Sequence, residues 1–380
     1  MNRVRVDVPL LGAILFLMGL GLVMVYSSSW AIAGATYHDP LYFLKRQIVF
    51  ALIGVAALVV GALVDPKHYR TFAYPMLGLS LFLLLIVLVP GIGKAVGIAR
   101  RWIVIGPVTL QAGEPAKFAI VCYLAMSLAK KSAVQMRTFQ VGVLPHVVIP
   151  GFLIFLLVCE PDFGTAMMLT VITLIMLFVG GARLGYLAGA LLAVLPVALL
   201  LIAQSPYRMR RIVAFLDPWA HRWDAGYQIT ESLMTFGSGG VAGLGMGDGR
   251  QKLFFLPAAH TDFIFSVIGE ELGFMGVLAV ILAFTMILVR GILAALKHQC
   301  AFLSFLSIGI TSLLVVQAAF NMAVVLGVVP TKGLTLPFLS YGGSSLITSA
   351  LLGGVLLRLA GDAHLDNDGD DEDSVQRREA

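Results

Sequence analysis

The sequence predicts an all-α membrane protein that crosses the bilayer many times. Of its 380 residues, 59% are apolar and only 12% are charged, which is about half the charged fraction of an average soluble domain. The mean hydropathy is +0.94, and a soluble globule of this composition would expose large apolar patches and aggregate. Apolar runs recur along the chain, and a helical span needs about 20 apolar residues. The composition therefore excludes a soluble enzyme, a disordered chain and a nucleic-acid-binding protein.

Ten apolar segments are predicted as transmembrane helices. Prolines lie at or near many of their boundaries, and glycines are frequent inside them, as expected where helices pack closely in lipid. A long loop, residues 204–261, separates the seventh span from the eighth. The predicted spans are residues 9–29, 47–64, 72–90, 114–130, 144–160, 164–181, 184–203, 262–290, 302–327 and 341–360.

Lysine and arginine are unequally distributed between the two sides of the predicted membrane domain. The side that holds both termini carries more of them in its short loops, and such loops are usually cytoplasmic. We therefore predict that both termini are cytoplasmic and that loop 204–261 lies outside. Residues 1–360 form a single transmembrane domain in this interpretation. Residues 361–380 are strongly acidic and form a disordered cytoplasmic tail.

The outer loop is basic, against the usual charge bias. An anionic ligand at the outer membrane surface would explain this excess of positive charge. Long loops also escape the charge rule, so both explanations stay open at this level. The basic residues of the loop are Arg208, Arg210, Arg211, Arg222, Arg250 and Lys252.

Ionisable residues also lie at the ends of predicted spans, where charge is costly in lipid and often functional. Glu114 and Lys117 are three residues apart on one helix face, so they form an ion pair or present a cation to a lipid phosphate. Glu160 and Asp162 flank a proline in the tight turn between two spans. This turn is interpreted either as a capped helix start or as a site for a divalent cation, Mg²⁺ or Mn²⁺.

Asp262 opens the eighth predicted span. Glu270 follows eight residues later, about 12 Å deeper along a helix that rises 1.5 Å per residue. Asp262 is therefore expected at the outer mouth of the bundle, within reach of a ligand in the outer leaflet, unless it only caps its helix. From the residues alone, two classes remain open: a transporter of an anionic lipid, and an enzyme that acts on one.

Several segments together resemble the SEDS family (shape, elongation, division and sporulation), and the resemblance covers nearly all of residues 7–360. The segment PTKGLTLP at 330–337 is similar to the division branch. One departure from the family pattern is QAGE at 111–114. The matching segments are GLVMVYS at 21–27, RQ at 46–47, RWI at 101–103, EPDFGT at 160–165, YRMRR at 207–211, FLDP at 215–218, GYQ at 226–228, KLFFLP at 252–257, HTDF at 260–263 and LPFLSYGGSS at 336–345.

The resemblance implies an inverting glycosyltransferase that polymerises lipid II into β-1,4 glycan strands, outside the bacterial inner membrane and at the division septum. It implies that Asp262 is the catalytic base, and that cations stabilise the leaving undecaprenyl pyrophosphate, with no organic cofactor. The alternatives are a lipid II flippase and the same chemistry in side-wall elongation. The substrate-binding residues implied are Arg101, Glu114, Lys117, Arg208, Arg210, Arg211, Lys252 and His260.

The resemblance also implies protein partners, namely a class B penicillin-binding protein transpeptidase and other membrane proteins of the division machinery. The eighth span carries small residues three or four apart, which let another helix approach closely. That neighbour is either the transpeptidase helix or a helix of this chain. The small residues are Gly269, Gly273, Gly276, Ala279 and Ala283.

Overall fold

The computed structural model describes residues 6–91, 93–96, 99–105, 108–249 and 256–379. Most of these residues are helical. The helices are α1 (Val8–Tyr37), α2 (Tyr42–Leu63), α3 (Pro66–Leu88), α4 (Gly113–Leu128), α5 (Ala133–Met136), α6 (Leu144–Cys159, preceded by a π-helical turn Phe139–Val143), α7 (Phe163–Val179), α8 (Leu184–Ala203), α9 (Pro206–Leu216), α10 (Tyr227–Ser238), α11 (Ile264–Lys297), α12 (Ala301–Val325) and α13 (Gly343–Glu379).

The helices form a polytopic membrane bundle. Within the described residues, seven segments are long and apolar enough to cross a bilayer: α1, α2, α3, α6 with its π-helical turn, α11, α12 and residues 343–363 of α13. Two shorter apolar helices are α7 and part of α8. The remaining predicted span coincides with α4, whose side chains are buried almost throughout, as expected for an apolar helix at the centre of a bundle.

The all-α prediction is wrong between α3 and α4, where the chain forms a three-stranded antiparallel sheet. The strands are β1 (Gly93–Val96), β2 (Ala99–Ile105) and β3 (Val108–Gln111). Trp102 of β2 lies opposite Gln111 of β3. Valine, isoleucine and threonine are frequent in β2 and β3 and favour strands. The sheet carries Arg101 and Gln111 to the end of the bundle where α4 begins.

The predicted outer loop is largely structured, because it contains α9 and α10. Buried residues of α10 include Thr230, Glu231 and Ser232, and Ser232 donates to the carbonyl of Val325 in α12. Helix α10 is therefore packed against the helical bundle and is not an irregular surface loop.

The glycine-rich run after α10 packs against a break in α11. Gly273 has φ +62°, which favours glycine, and a methyl group there would lie 2.3 Å from the backbone nitrogen of Gly243. Gly269 similarly faces the ring of Phe236. These two positions of the small-residue stripe are therefore filled by this chain, and they do not support docking of a partner helix at that level.

The last helix, α13, runs from Gly343 to Glu379. The disordered character of residues 361–380 stays a prediction from their composition. Extending an existing helix needs no new nucleation step, and α13 is already packed up to Ala363, which is 1% exposed.

Candidate active site at the end of the bundle

The segment that carries Asp262 is held by a loop between α12 and α13. The backbone nitrogen of Tyr341 donates to the carbonyl of His260 over 2.9 Å, and the Ser340 hydroxyl donates to the carbonyl of Thr261 over 2.6 Å. The buried amide of Asn321 donates to the carbonyl of Asp262 over 2.8 Å. Hydrogen bonds to the carbonyls of three consecutive residues, 260–262, thus fix the backbone around Asp262.

The Asp262 carboxylate faces the backbone of Gly333 and the guanidinium of Arg101. A Cβ atom built on Gly333 would lie 2.9 Å from Oδ2 of Asp262 and 3.8 Å from Nη2 of Arg101. Burial raises the pKa of Asp262 to about 6, although Arg101 and Arg211 oppose this shift. Asp262 does not cap α11, whose N-cap is Phe263. The carboxylate is thus available for chemistry.

Four cations from three chain segments lie near this carboxylate or near the ring of Phe163. The guanidinium carbon of Arg208 lies 3.7 Å from the ring centroid of Phe163, and Nζ of Lys332 lies 5.5 Å from the same centroid. Arg211 donates to the carbonyl of Thr331 over 2.9 Å. Arg101 completes the set, and we name these four residues, Arg101, Arg208, Arg211 and Lys332, the cation cluster.

Lys332 is the member of the cation cluster that the sequence did not predict as a binding residue. It lies in the segment 330–337, whose resemblance to the division branch is the only property that the sequence pattern indicated. Burial, with Arg211 and Arg208 nearby, lowers the pKa of Lys332 to about 8, although Asp162 opposes the shift. The ammonium is therefore poised to gain an anionic partner, which would relieve the repulsion from the two arginines.

Asp162 has the structural role of a helix cap. Its carboxylate accepts from the backbone nitrogen of Thr165 over 3.3 Å and from the Thr165 hydroxyl over 3.0 Å. It also accepts from the amide of Gln111 over 3.0 Å and lies 3.6 Å from Arg101. The capped-helix interpretation is confirmed, and Asp162 orients Arg101 towards the site.

The donor set at this turn does not fit a divalent cation. Both oxygens of Asp162 are already engaged, which leaves Glu160, a fully buried carboxyl with no hydrogen-bond partner in the described part of the chain. Mg²⁺ requires near-octahedral oxygen coordination, and the described residues contain no group of three potential metal ligands. The residues present therefore do not support the metal site predicted at Glu160 and Asp162.

Glu114 and Lys117 form a buried ion pair, with 2.7 Å between Nζ and Oε1. Lys117 also donates to Oε1 of Gln317 over 3.0 Å, and Gln317 donates to the carbonyl of Thr335 over 2.9 Å. Lys117 is only 2% exposed. The ion-pair interpretation is confirmed, and the pair contacts the loop between α12 and α13 through Gln317. The substrate-binding role of Glu114 and Lys117 stays a prediction.

Three other predicted binding residues are not brought into the cation cluster. Arg210 is exposed on a different side of α9. The ring of His260 packs 4.5 Å from that of Phe43 and 5.6 Å from that of Tyr341, and burial lowers its pKa to about 4, so the imidazole is neutral at physiological pH. Lys252 lies outside the described residues.

Fold and site define a class: an integral membrane protein in which separate segments gather the Asp262 carboxylate and several cations at one end of a helical bundle. The chain belongs to the cell cycle protein family of FtsW, RodA and SpoVE, whose model matches residues 9–364. This confirms the resemblance predicted from the motifs.

Curated relatives and solved structures agree with this assignment. Relatives named probable peptidoglycan glycosyltransferase FtsW include one from Trichlorobacter lovleyi, 46% identical over 93% of each chain. Another, from Legionella pneumophila, is 41% identical over 93% of this chain and 90% of its own. A chain from a peptidoglycan synthase complex has a TM-score of 0.77, with 29% identity over 94% of this chain and 98% of that one. Thermus thermophilus RodA has a TM-score of 0.68, with 28% identity over 96% and 99%. The similarity to relatives named FtsW confirms the predicted likeness to the division branch.

Proposed function

We propose that this protein is a peptidoglycan glycosyltransferase that polymerises lipid II during cell division. The observation that carries the proposal is the Asp262 carboxylate, which has a raised pKa, with Arg101 and Arg211 of the cation cluster near it. An enzyme that transfers a sugar from a pyrophosphate needs both a base and positive charge. The family membership and the names of the relatives support the same activity.

The proposed reaction is one displacement at carbon 1 of the donor sugar. Asp262 accepts the proton of the acceptor 4-hydroxyl as its oxygen forms the new bond to carbon 1. The bond between carbon 1 and the pyrophosphate oxygen breaks, and the electron pair leaves with undecaprenyl pyrophosphate. The attack inverts an α-linked donor into a β-1,4 product.

The cation cluster stabilises the leaving group in this scheme. Negative charge develops on the departing pyrophosphate, and fixed cations in a site of low dielectric stabilise it more than water does. Arg208 and Arg211 come from α9 and Lys332 from the loop between α12 and α13, so they can contact several pyrophosphate oxygens together. These side chains supply the positive charge that the displacement requires.

A lipid II flippase is the second candidate function. A transporter also needs a cavity and cations, but it has no use for a base. The position of Asp262 against Arg101, outside any capping role, therefore favours the polymerase. The relatives named FtsW are 41% to 46% identical, against 28% for the solved RodA, which favours division over side-wall elongation.

We further infer the finer topology and partners from the same features. The ten predicted spans each coincide with a helix, and an even number of spans leaves both termini on the same side. The excess of lysine and arginine in the short loops of that side assigns it to the cytoplasm. The active site then faces the outer surface of the inner membrane, at the division septum. The similarity to a chain from a peptidoglycan synthase complex supports pairing with a class B penicillin-binding protein transpeptidase, alongside other division proteins.

The test is polymerisation of fluorescent lipid II by the purified protein in detergent, where transport has no meaning. Asp262→Asn should lower the rate at least ~100-fold, the usual contribution of a positioned base, while lipid II binding persists. Asp248→Asn, an exposed carboxylate in the same outer segment, is the control. A near wild-type rate for Asp262→Asn would refute the role of the base, and lipid II transport into vesicles without polymerisation would favour the flippase.

The cations are tested separately. Arg211→Gln and Lys332→Gln should weaken lipid II turnover more than Lys130→Gln or Lys131→Gln, which alter charges in the connection between α4 and α5. Equal losses in both sets would mean that the cation cluster has no specific role.

A further inference from the structure

Helix α9 has two faces with different chemistry. Successive helical residues are rotated by 100°, so Arg208 and Arg211 of the cation cluster lie on one side of the helix. Met209, Val213 and Leu216 lie about 80–140° around the helix from Arg208, and they are 41%, 41% and 76% exposed. An amphipathic helix normally buries its apolar stripe, so this outward stripe is the unusual feature.

The apolar stripe continues beyond the end of α9. Trp219 is 56% exposed and Trp223 is 85% exposed, although burial of a tryptophan is strongly favourable. We name Met209, Val213, Leu216, Trp219 and Trp223 the outer apolar surface. Exposed apolar side chains concentrated in one segment of the chain mark an interaction site.

The chain connection places α9 at the level of the lipid headgroups. Helix α8 ends at Ala203 and α9 begins at Pro206. Because an extended chain spans at most ~3.6 Å per residue, the start of α9 lies within about 11 Å of the end of α8. The last turns of α8 expose Leu199 and Leu200, as expected of a lipid-facing span. The headgroup layers add about 10–15 Å in total to the hydrocarbon core, so α9 begins in or beside one of them.

Arg210 gives the same surface a positive charge. It lines a groove of about 350 Å³ together with His221, Asp224 and the apolar side chains of Met209 and Val213. The cation of Arg210 thus lies beside apolar side chains and one carboxylate, Asp224. Its helical position, about 100° from Arg211 and about 160° from Arg208, points it away from the active site.

We propose that α9 lies in the outer-leaflet interface, with the outer apolar surface among the lipid acyl chains and Arg210 bound to the phosphate of an anionic phospholipid. The combination of a short amphipathic helix, flanking arginine and exposed tryptophans is typical of segments that lie in a membrane interface. Insertion of α9 into the interface would also set the depth of Arg208 and Arg211, which face the active site. The inference that lipid thereby holds these cations at the depth of a lipid-linked pyrophosphate rests on the proposed function.

The location is tested by tryptophan fluorescence in nanodiscs. Trp30 and Trp102 are replaced by phenylalanine, so that only Trp219 and Trp223 report, and a second variant keeps Trp30 of α1 alone as the membrane reference. Dibrominated phosphatidylcholine should quench Trp219 and Trp223 as strongly as it quenches Trp30, and iodide in the water should quench them weakly. Strong iodide quenching without bromolipid quenching would overturn the proposal. Protection that appears only after a transpeptidase is added would assign the surface to a protein partner instead.

The headgroup contact is tested in the same variant. Adding phosphatidylglycerol to the nanodiscs should increase the bromolipid quenching, and Arg210→Gln should abolish that increase. Arg137→Gln, an exposed arginine in the connection between α5 and α6, should leave it intact. An increase that survives Arg210→Gln would refute the phosphate contact.

The coupling to the active site is tested by a matched pair of substitutions. Leu216 and Val134 are both 76% exposed, but only Leu216 belongs to the outer apolar surface. Leu216→Asp should reduce the bromolipid quenching and raise the KM for lipid II several-fold, whereas Val134→Asp should do neither. Lost quenching with an unchanged KM would refute the coupling. Because quenching needs no turnover, failure of the proposed polymerase activity would leave the location test standing.

Discussion

Gly333 offers a direct test of how closely the site is built. Its backbone is outside the left-handed region, so alanine is conformationally allowed, but the added methyl carbon would lie 2.9 Å from Oδ2 of Asp262. Ordinary contacts of this kind begin at 3.4 Å, so the carboxylate or the loop must move by about 0.5 Å. A misplacement of about 1 Å can cost ~100-fold in rate. On that scale Gly333→Ala should lower kcat on the order of tenfold, or about 1.4 kcal/mol.

The assay is initial-rate polymerisation of fluorescent lipid II, with thermal unfolding in detergent as a check on folding. Gly342→Ala is the matched control, because it lies in the same loop and its methyl group would meet Thr335 at an ordinary 3.6 Å. We expect a lower kcat, little change in KM and an unaltered unfolding midpoint for Gly333→Ala alone. Equal rates for Gly333→Ala and the wild type, or equal losses in both variants, would refute the inferred position of the Asp262 carboxylate.

Two further predictions follow from the geometry. The pH profile of kcat/KM should be bell-shaped: activity falls below pH about 6 as Asp262 becomes protonated, and falls above pH about 8 as Lys332 loses its charge. Lys332→Arg, which stays charged, should remove the alkaline limb, and its persistence would contradict the assignment. Gly273→Ala should destabilise the fold by at least about 1–3 kcal/mol, since its φ of +62° is a strained conformation for other residues. Thermal unfolding measures this loss, and Gly78→Ala, whose methyl group would meet nothing within 4 Å, should unfold like the wild type; equal midpoints would contradict it.

The sequence alone was sufficient to predict the ten apolar helices and to indicate Asp262 as a candidate catalytic residue. Apolar runs of bilayer length predict helices because a lipid-embedded backbone must satisfy its own hydrogen bonds, and every predicted span coincides with a helix. Asp262 stood out because a charge at the end of a span is costly unless it has a function. The motifs identified the family because they combine many independent positions.

Tertiary structure decided which charged residues act together. Neighbours in sequence such as Arg210 and Arg211 point about 100° apart on a helix, and the sequence pattern does not say which of these directions faces the site. Only the packing of α9 shows that Arg208 and Arg211 turn inward while Arg210 turns outward. Contacts between distant segments likewise place Lys332 over the ring of Phe163, although the two residues are more than 100 positions apart in the chain.

The sequence pattern also leaves open the strand pairing of the sheet and the surroundings of the buried ion pair, because both depend on contacts formed in the folded chain. Residues 93–111 are too short and too mixed in polarity for their pattern to choose a strand arrangement, and the pairing of β2 with β3 is what fixes the position of Arg101. The spacing of Glu114 and Lys117 predicts that they share a helix face, but it does not say whether that face meets lipid, ligand or protein. The answer depends on α12, about 200 residues later, where Gln317 accepts a hydrogen bond from the Lys117 ammonium. Local sequence determines where a helix begins and which residues share its face, whereas contacts between distant segments determine what that face meets.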